Sequence, residues 1–121
     1  MMRPAETVPV YLCREPVDMR KSINGLSVLV EEGLGLDPFV ATLFVFANRK
    51  RDKVKILYWE RSGFVVWYKR LEKARFPWPA AAGEKDEATL VVTGRELNWL
   101  LDGIDWLRVR PHEELSYRSV L

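Results

Sequence analysis

Cysteine and histidine each occur once in this chain of 121 residues. A lone Cys13 cannot form an internal disulfide, so the expected setting is a reducing cytoplasm. Arg14 beside it is able to lower a thiol pKa, but a single strand-end cysteine reads better as a small core residue. No Cys/His spacing suits zinc. A Gly-rich phosphate loop is missing too, because Gly33-Leu-Gly35 follows a helical pattern and reads as its stop. No apolar run approaches the roughly 18 residues of a membrane span, and the first residues lack the apolar stretch of a signal peptide. Internal repeats and low-complexity segments are also absent. Carboxylates are present but committed: Asp18 to a cap, Asp52 to a turn, Asp102 and Asp105 to a helix end. A two-metal site needs several converging from structured elements. The expectation is a protein that is not an enzyme, with no catalytic residues, no metal and no cofactor. His112 falls in a presumed tail.

What is present is an ordinary globular composition, 48% apolar and 30% charged, of a length that makes one domain with its own core. The charge is sorted. Residues 48–75 hold ten Lys or Arg against three Asp or Glu, a balance of +7. Residues 1–47 carry −2 and residues 76–121 carry −3, so a chain of net charge +2 concentrates its positive field in one segment. Such concentration points to an anionic partner more strongly than the net charge does.

That segment also carries the clearest strand pattern. Val8-Pro-Val-Tyr-Leu12 reads as a first strand. Asp18 reads as an N-cap, with Met19, Ile23, Leu26 and Val30 on one face of a helix of about four turns. A strand over 42–47, a cationic turn over 48–52, and strands over 53–59 and 64–70 then form a meander. Its second loop, 60–63, pairs Trp59 with Phe64, Leu57 with Val66, Lys55 with Tyr68 and Lys53 with Arg70. Its first loop pairs Ala47 with Lys53 and Val45 with Lys55. Alternation then gives a core face of Phe44, Phe46, Val54, Ile56, Tyr58, Val65 and Trp67. Phe76-Pro-Trp-Pro79 is too rich in proline for a central strand and reads as a rigid crossing. Thr89–Val92 reads as a brief fifth strand. Thr93 and Glu96 form a capping box for a second helix with Leu97, Leu100, Leu101 and Ile104 as its stripe. The fold expected is α+β, a mainly antiparallel sheet with three central meander strands and two helices. A single domain over 1–107 is followed by a loosely held tail, 108–121.

Lys53, Lys55, Tyr68 and Arg70 then share the face opposite the core, near Arg49, Lys50 and Arg51. Lys and Arg neutralise phosphates while an aromatic stacks on an exposed base. A solvated, aggregation-resistant hairpin uses the same residues. Arg20 and Lys21 at a helix start oppose the helix dipole unless an anion sits there, or unless both reach away to solvent. The five tryptophans (59, 67, 78, 99 and 106) are core residues in the main, with one or two suited to a protein surface.

Several segments carry a resemblance: Asp18-Met-Arg-Lys21 with Gly25-Leu26, Asp37-Pro-Phe39, Leu43-Phe-Val-Phe46 with Asn48-Arg49, and Arg51-Asp52-Lys53 with Lys55-Ile56. Tyr68-Lys-Arg-Leu-Glu72, Arg75-Phe76, Trp78-Pro79, Leu100-Leu101 and Gly103-Ile-Asp-Trp106 complete it. In order and spacing, from about residue 8 to 106, the chain resembles the TnpB accessory (Orf2-like) proteins of the insertion-sequence family numbered sixty-six. Many members have Asp where this chain has Asn24. The resemblance implies a protein of a bacterial mobile element, encoded beside a separate transposase and assisting transposition without the transposase active site. Charge placement adds DNA contact. The expected DNA-binding residues are Arg20, Lys21, Arg49, Lys50, Arg51, Lys53, Lys55, Tyr68 and Arg70. The rival expectation is an adaptor that binds the transposase through exposed tryptophans, its basic patch meeting an acidic surface.

Overall fold

A computed structural model of the chain describes residues 8–83 and 86–110. Strands β1 (Val10–Cys13), β2 (Leu43–Ala47), β3 (Lys53–Glu60), β4 (Gly63–Arg70) and β5 (Thr89–Val92) form one sheet in the order β4-β3-β2-β1-β5. Helices α1 (Ile23–Val28), α2 (Gly94–Leu101) and α3 (Trp106–Val109) complete the fold. The class is α+β, but the sheet is mixed rather than purely antiparallel. β1 and β2 run parallel, and the other neighbouring pairs are antiparallel. Parallel neighbours need a crossover, and the segment carrying α1 supplies it. The three meander strands are therefore not all central: β2 is the middle strand of the sheet and β4 is an edge.

The β3–β4 hairpin pairs Lys53 with Arg70, Lys55 with Tyr68, Leu57 with Val66 and Trp59 with Phe64, as alternation predicts. The β2–β3 register does not follow the prediction. Ala47 faces Val54, Val45 faces Ile56, and Phe46 faces Lys55, one residue away from the expected pairing. The cause lies in Asn48. Its Oδ1 accepts from the backbone N–H groups of Asp52 (3.1 Å) and Lys53 (3.0 Å), which lengthens the turn by one residue. Phe44 and Phe46 consequently leave the face of Val54 and Ile56.

Both faces of β2 are buried, so its side chains show no alternation from which register is legible. On one face Val10, Leu12, Val45, Ala47, Val54 and Ile56 pack with Leu97, Leu100, Leu101 and Trp106 from α2 and α3. On the other Phe44, Phe46 and Leu57 pack with Leu26 and Val30 from the α1 segment. Each buried Val, Leu, Ile or Phe among them, fully removed from water, contributes about 1.5–3 kcal/mol.

The first helix starts later than expected. Ser22 is its N-cap, and Asp18 instead accepts from the backbone N–H of Arg20 in a turn that precedes the helix. Ile23, expected on the buried face, is exposed. After Val28 the helix widens to one π turn, Leu29–Gly33, closed by the Leu34 N–H donating to the Leu29 carbonyl (2.9 Å). A Cβ at Gly33 would sit 2.7 Å from Leu29 Cδ1, so a side chain there would displace the leucine.

Thr93 and Glu96 form the predicted capping box of α2, with bonds of 3.1 and 3.0 Å. That helix ends before Ile104, which is 45% exposed, because Gly103 takes φ +77. The restart as α3, unseen in the sequence, brings fully buried Trp106 under the sheet with its Nε1 donating to the Pro77 carbonyl (2.6 Å). The 76–79 crossing is held by the Phe76 N–H donating to the Arg51 carbonyl (2.7 Å) and Trp78 Nε1 donating to the Cys13 carbonyl (3.2 Å). Cys13 is buried, and burial pushes its thiol pKa up. Of the expected tail, α3 takes residues up to Val109, and Arg110 pairs with Glu96 (3.5 Å) while donating to the Val91 carbonyl (3.2 Å). Residues 111–121, His112 among them, lie outside the described residues.

Candidate nucleic-acid interface

Two loops meet at the N-terminal end of β3. One is residues 16–20, the other residues 48–53. Between them lies an open cleft of about 540 Å³, lined by Pro16, Val17, Asp18, Met19, Arg20, Asn48, Arg49, Lys50 and Lys53. Four cations therefore border it against one carboxylate. They are some thirty residues apart in sequence, and what joins them is a backbone bond, the Val17 N–H donating to the Ala47 carbonyl (2.8 Å). Lys55 adds a second tie: its Nζ donates to the carbonyls of Met19 (2.6 Å) and Lys21 (2.9 Å).

Asn48 shapes the second loop. Besides its two accepted bonds, its Nδ2 donates to Asp52 Oδ1 (2.6 Å), and that bond more than any other holds the Asp52 carboxyl below its ordinary pKa. Asp52 also lies 3.6 Å from Lys53. Arg49 and Lys50 are left at the apex, exposed. In the first loop the Asp18 carboxylate accepts from Arg20 Nε and NH2, the closest at 2.7 Å. Those bonds lower the Asp18 pKa to about 2 and raise that of Arg20. The Arg20 side chain remains 92% exposed, so the pair is solvent-screened and one charge in the cleft is partly cancelled rather than removed.

Four of the nine sequence-predicted residues, Arg20, Arg49, Lys50 and Lys53, thus border one cleft. Lys21 is exposed beside it and precedes the helix, whose N-cap is Ser22, so neither Arg20 nor Lys21 lies in a first helical turn. Arg51 turns away. With φ 62 it carries its guanidinium over the Trp78 ring, 5.6 Å from the centroid, and burial lowers its pKa. Lys55 is spent on the two carbonyls, with its Nζ also 5.5 Å from the Tyr68 ring centroid. Tyr68 is 49% exposed on edge strand β4. Arg70 is exposed but paired with Glu72 (2.9 Å), which raises the arginine pKa. The residue missed in the sequence is Asn48. An Asn opening a charged run ahead of a strand is an Asx-turn signal.

None of the five tryptophans is exposed: Trp106 is buried, and Trp59, Trp67, Trp78 and Trp99 are half-buried. Besides Tyr68, Phe39 is an exposed aromatic, 54% exposed, whose ring meets Trp59 at 5.1 Å and Phe64 at 5.2 Å near the other end of β3. Among the described residues no three His, Cys, Asp or Glu side chains are grouped as metal ligands would be.

The family described as "IS66 Orf2 like protein" matches residues 8–111. A protein of Sinorhizobium fredii, "Uncharacterized protein y4jC", is 34% identical over 110 residues, covering 91% of each chain. A second from the same organism, "Uncharacterized protein y4hO", is 33% identical over 106 residues, covering 88% of this chain and 89% of its own. No solved structure matches. The chain belongs to the IS66 Orf2-like family and is a protein associated with insertion sequences.

Proposed function

We propose that this protein is a non-catalytic accessory of its insertion sequence that assists transposition by holding DNA through the cationic cleft. The observation that carries the reading is the convergence of Arg20, Arg49, Lys50 and Lys53 around one opening, in a chain whose flanking segments are net acidic. Cations on two tied loops meet successive phosphates without reorganising, and phosphate neutralisation supplies affinity without reading sequence. Asn48 and Lys55 act as positioning residues that fix the loops. Duplex binding followed across a salt series tests the reading. Three to five phosphate contacts give a log–log slope of roughly −3 to −4.5. A flat response, or no binding at low salt, overturns it.

The exposed Phe39 beside Trp59 and Phe64 favours a second reading, an adaptor that binds the transposase at the far end of β3. Under it, Phe39→Ala abolishes co-purification with the transposase while duplex binding is absent in the unmodified protein.

A further inference from the structure

Tyr68 is not used by a protein that only tracks phosphates. It sits on edge strand β4, opposite Lys55 and two residues before Arg70, on the face that also bears Lys53. On a strand, i and i+2 stand about 7 Å apart on one face, so Lys53, Lys55, Tyr68 and Arg70 form a small two-by-two block beside the cleft. Lys55 holds its ammonium against the ring, 5.5 Å from the centroid, while its hydrogen bonds to two backbone carbonyls fix the lysine in place. One side of the ring is thus set by a pinned cation, and about half of the residue is open to solvent.

A half-exposed aromatic bordered by cations suits a base whose face is free. Bases in a closed duplex have none to offer, because both faces are stacked on neighbours. We infer that Tyr68 stacks on an unpaired base, and that the preferred ligand of this surface is DNA with single-stranded character, its phosphates passing from Arg70 and Lys53 into the cleft. The inference rests on the DNA-binding reading and narrows its substrate class.

Two labelled single strands of equal length test it, oligo(dT) and an abasic strand with the same number of phosphates, beside a duplex of that length. Binding is read by fluorescence anisotropy at fixed low salt. The expected result is tighter binding of oligo(dT) than of the abasic strand, by roughly five- to a hundredfold. Tyr68→Ala erases that difference, and Tyr68→Phe keeps it. Equal affinity of the unmodified protein for oligo(dT) and abasic strand overturns the inference but leaves the phosphate reading standing. No binding to any of the three overturns both. The comparison of the two strands uses the unmodified protein, so it decides even where a variant fails to fold.

Discussion

At one end of β3 the chain turns through residues 48–53, held by the Asn48 side chain, which donates one hydrogen bond and accepts two. At the other, about 25 Å away along the strand, it turns through Arg61 and Ser62 alone. Both turns put an arginine at positive φ, 62 at Arg51 and 54 at Arg61. Their outcomes differ. The longer turn folds Arg51 inward onto Trp78 and lifts Arg49 and Lys50 outward beside a second loop. The tight turn has no room for such a division, and it leaves Trp59 and Phe64 edge to face, 5.0 Å apart, under Phe39. Clustered charge becomes a surface only where a turn is long enough to separate structural cations from presented ones. Charge count alone did not distinguish Arg51 from its neighbours.

The largest effect is expected where neither end is involved. Trp106→Ala removes a fully buried ring and leaves the Pro77 carbonyl without its donor, so denaturant unfolding should show a loss of roughly 3–5 kcal/mol. Stability unchanged would mean that this tryptophan does not close the core. Within the cationic end, Asn48→Ala should cost about 1–3 kcal/mol by stranding the Asp52 and Lys53 amides, and it should lower DNA affinity by loosening the loop. Arg51→Ala should cost about 1 kcal/mol through lost contact with Trp78, with DNA affinity nearly intact. A reversal of those two effects on DNA, with Arg51 dominant, would break the division between inward and outward cations.

The smallest expected change is a gain. Asp18→Asn frees Arg20 and removes the one carboxylate of the cleft, so duplex affinity should rise by a factor of roughly two to five. The pH dependence has a defined sign. A carboxyl depressed from 3.8 to about 2 keeps its pairing above pH 4 and loses it as pH falls through about 2. Neutral-pH binding is therefore measured with Arg20 still tied. Weaker binding by Asp18→Asn would show that the Asp18–Arg20 turn, rather than Arg20's charge, matters to the cleft.

Sequence patterning reached far into the β3–β4 hairpin because the polar half of one strand face, Lys53, Lys55, Tyr68 and Arg70, alternates with apolar residues on the other, although Leu57, Phe64 and Val66 farther along that same face join the second core cluster. It failed on β2, where Phe44 and Val45 are both buried and a one-residue slip leaves no trace in the pattern. It placed the first helix too early because Asp18 satisfies a turn as well as a cap, and local pattern cannot choose between them. The capping box at Thr93 and Glu96 was legible because both partners lie within three residues. Of the four cleft cations, Arg49, Lys50 and Lys53 were legible as types, from charge density. Their grouping was not, because it depends on the Val17–Ala47 backbone bond and on Lys55 reaching residues 34 and 36 positions away. Long-range ties of that kind have no periodicity.

Charge reversal at each end of β3 tests the central claim most directly. Duplex affinity and its salt slope would be measured for Arg49→Glu with Lys50→Glu, and separately for Arg61→Glu, each variant first checked for an unchanged melting transition. Arg49 and Lys50 border the cleft, so their reversal should reduce affinity at least tenfold and flatten the slope by about two units. Arg61→Glu, at the aromatic end, should leave the slope within about half a unit of the unmodified protein. Equal losses from both reversals, or no loss from the first, would contradict a DNA site built at the 48–53 turn.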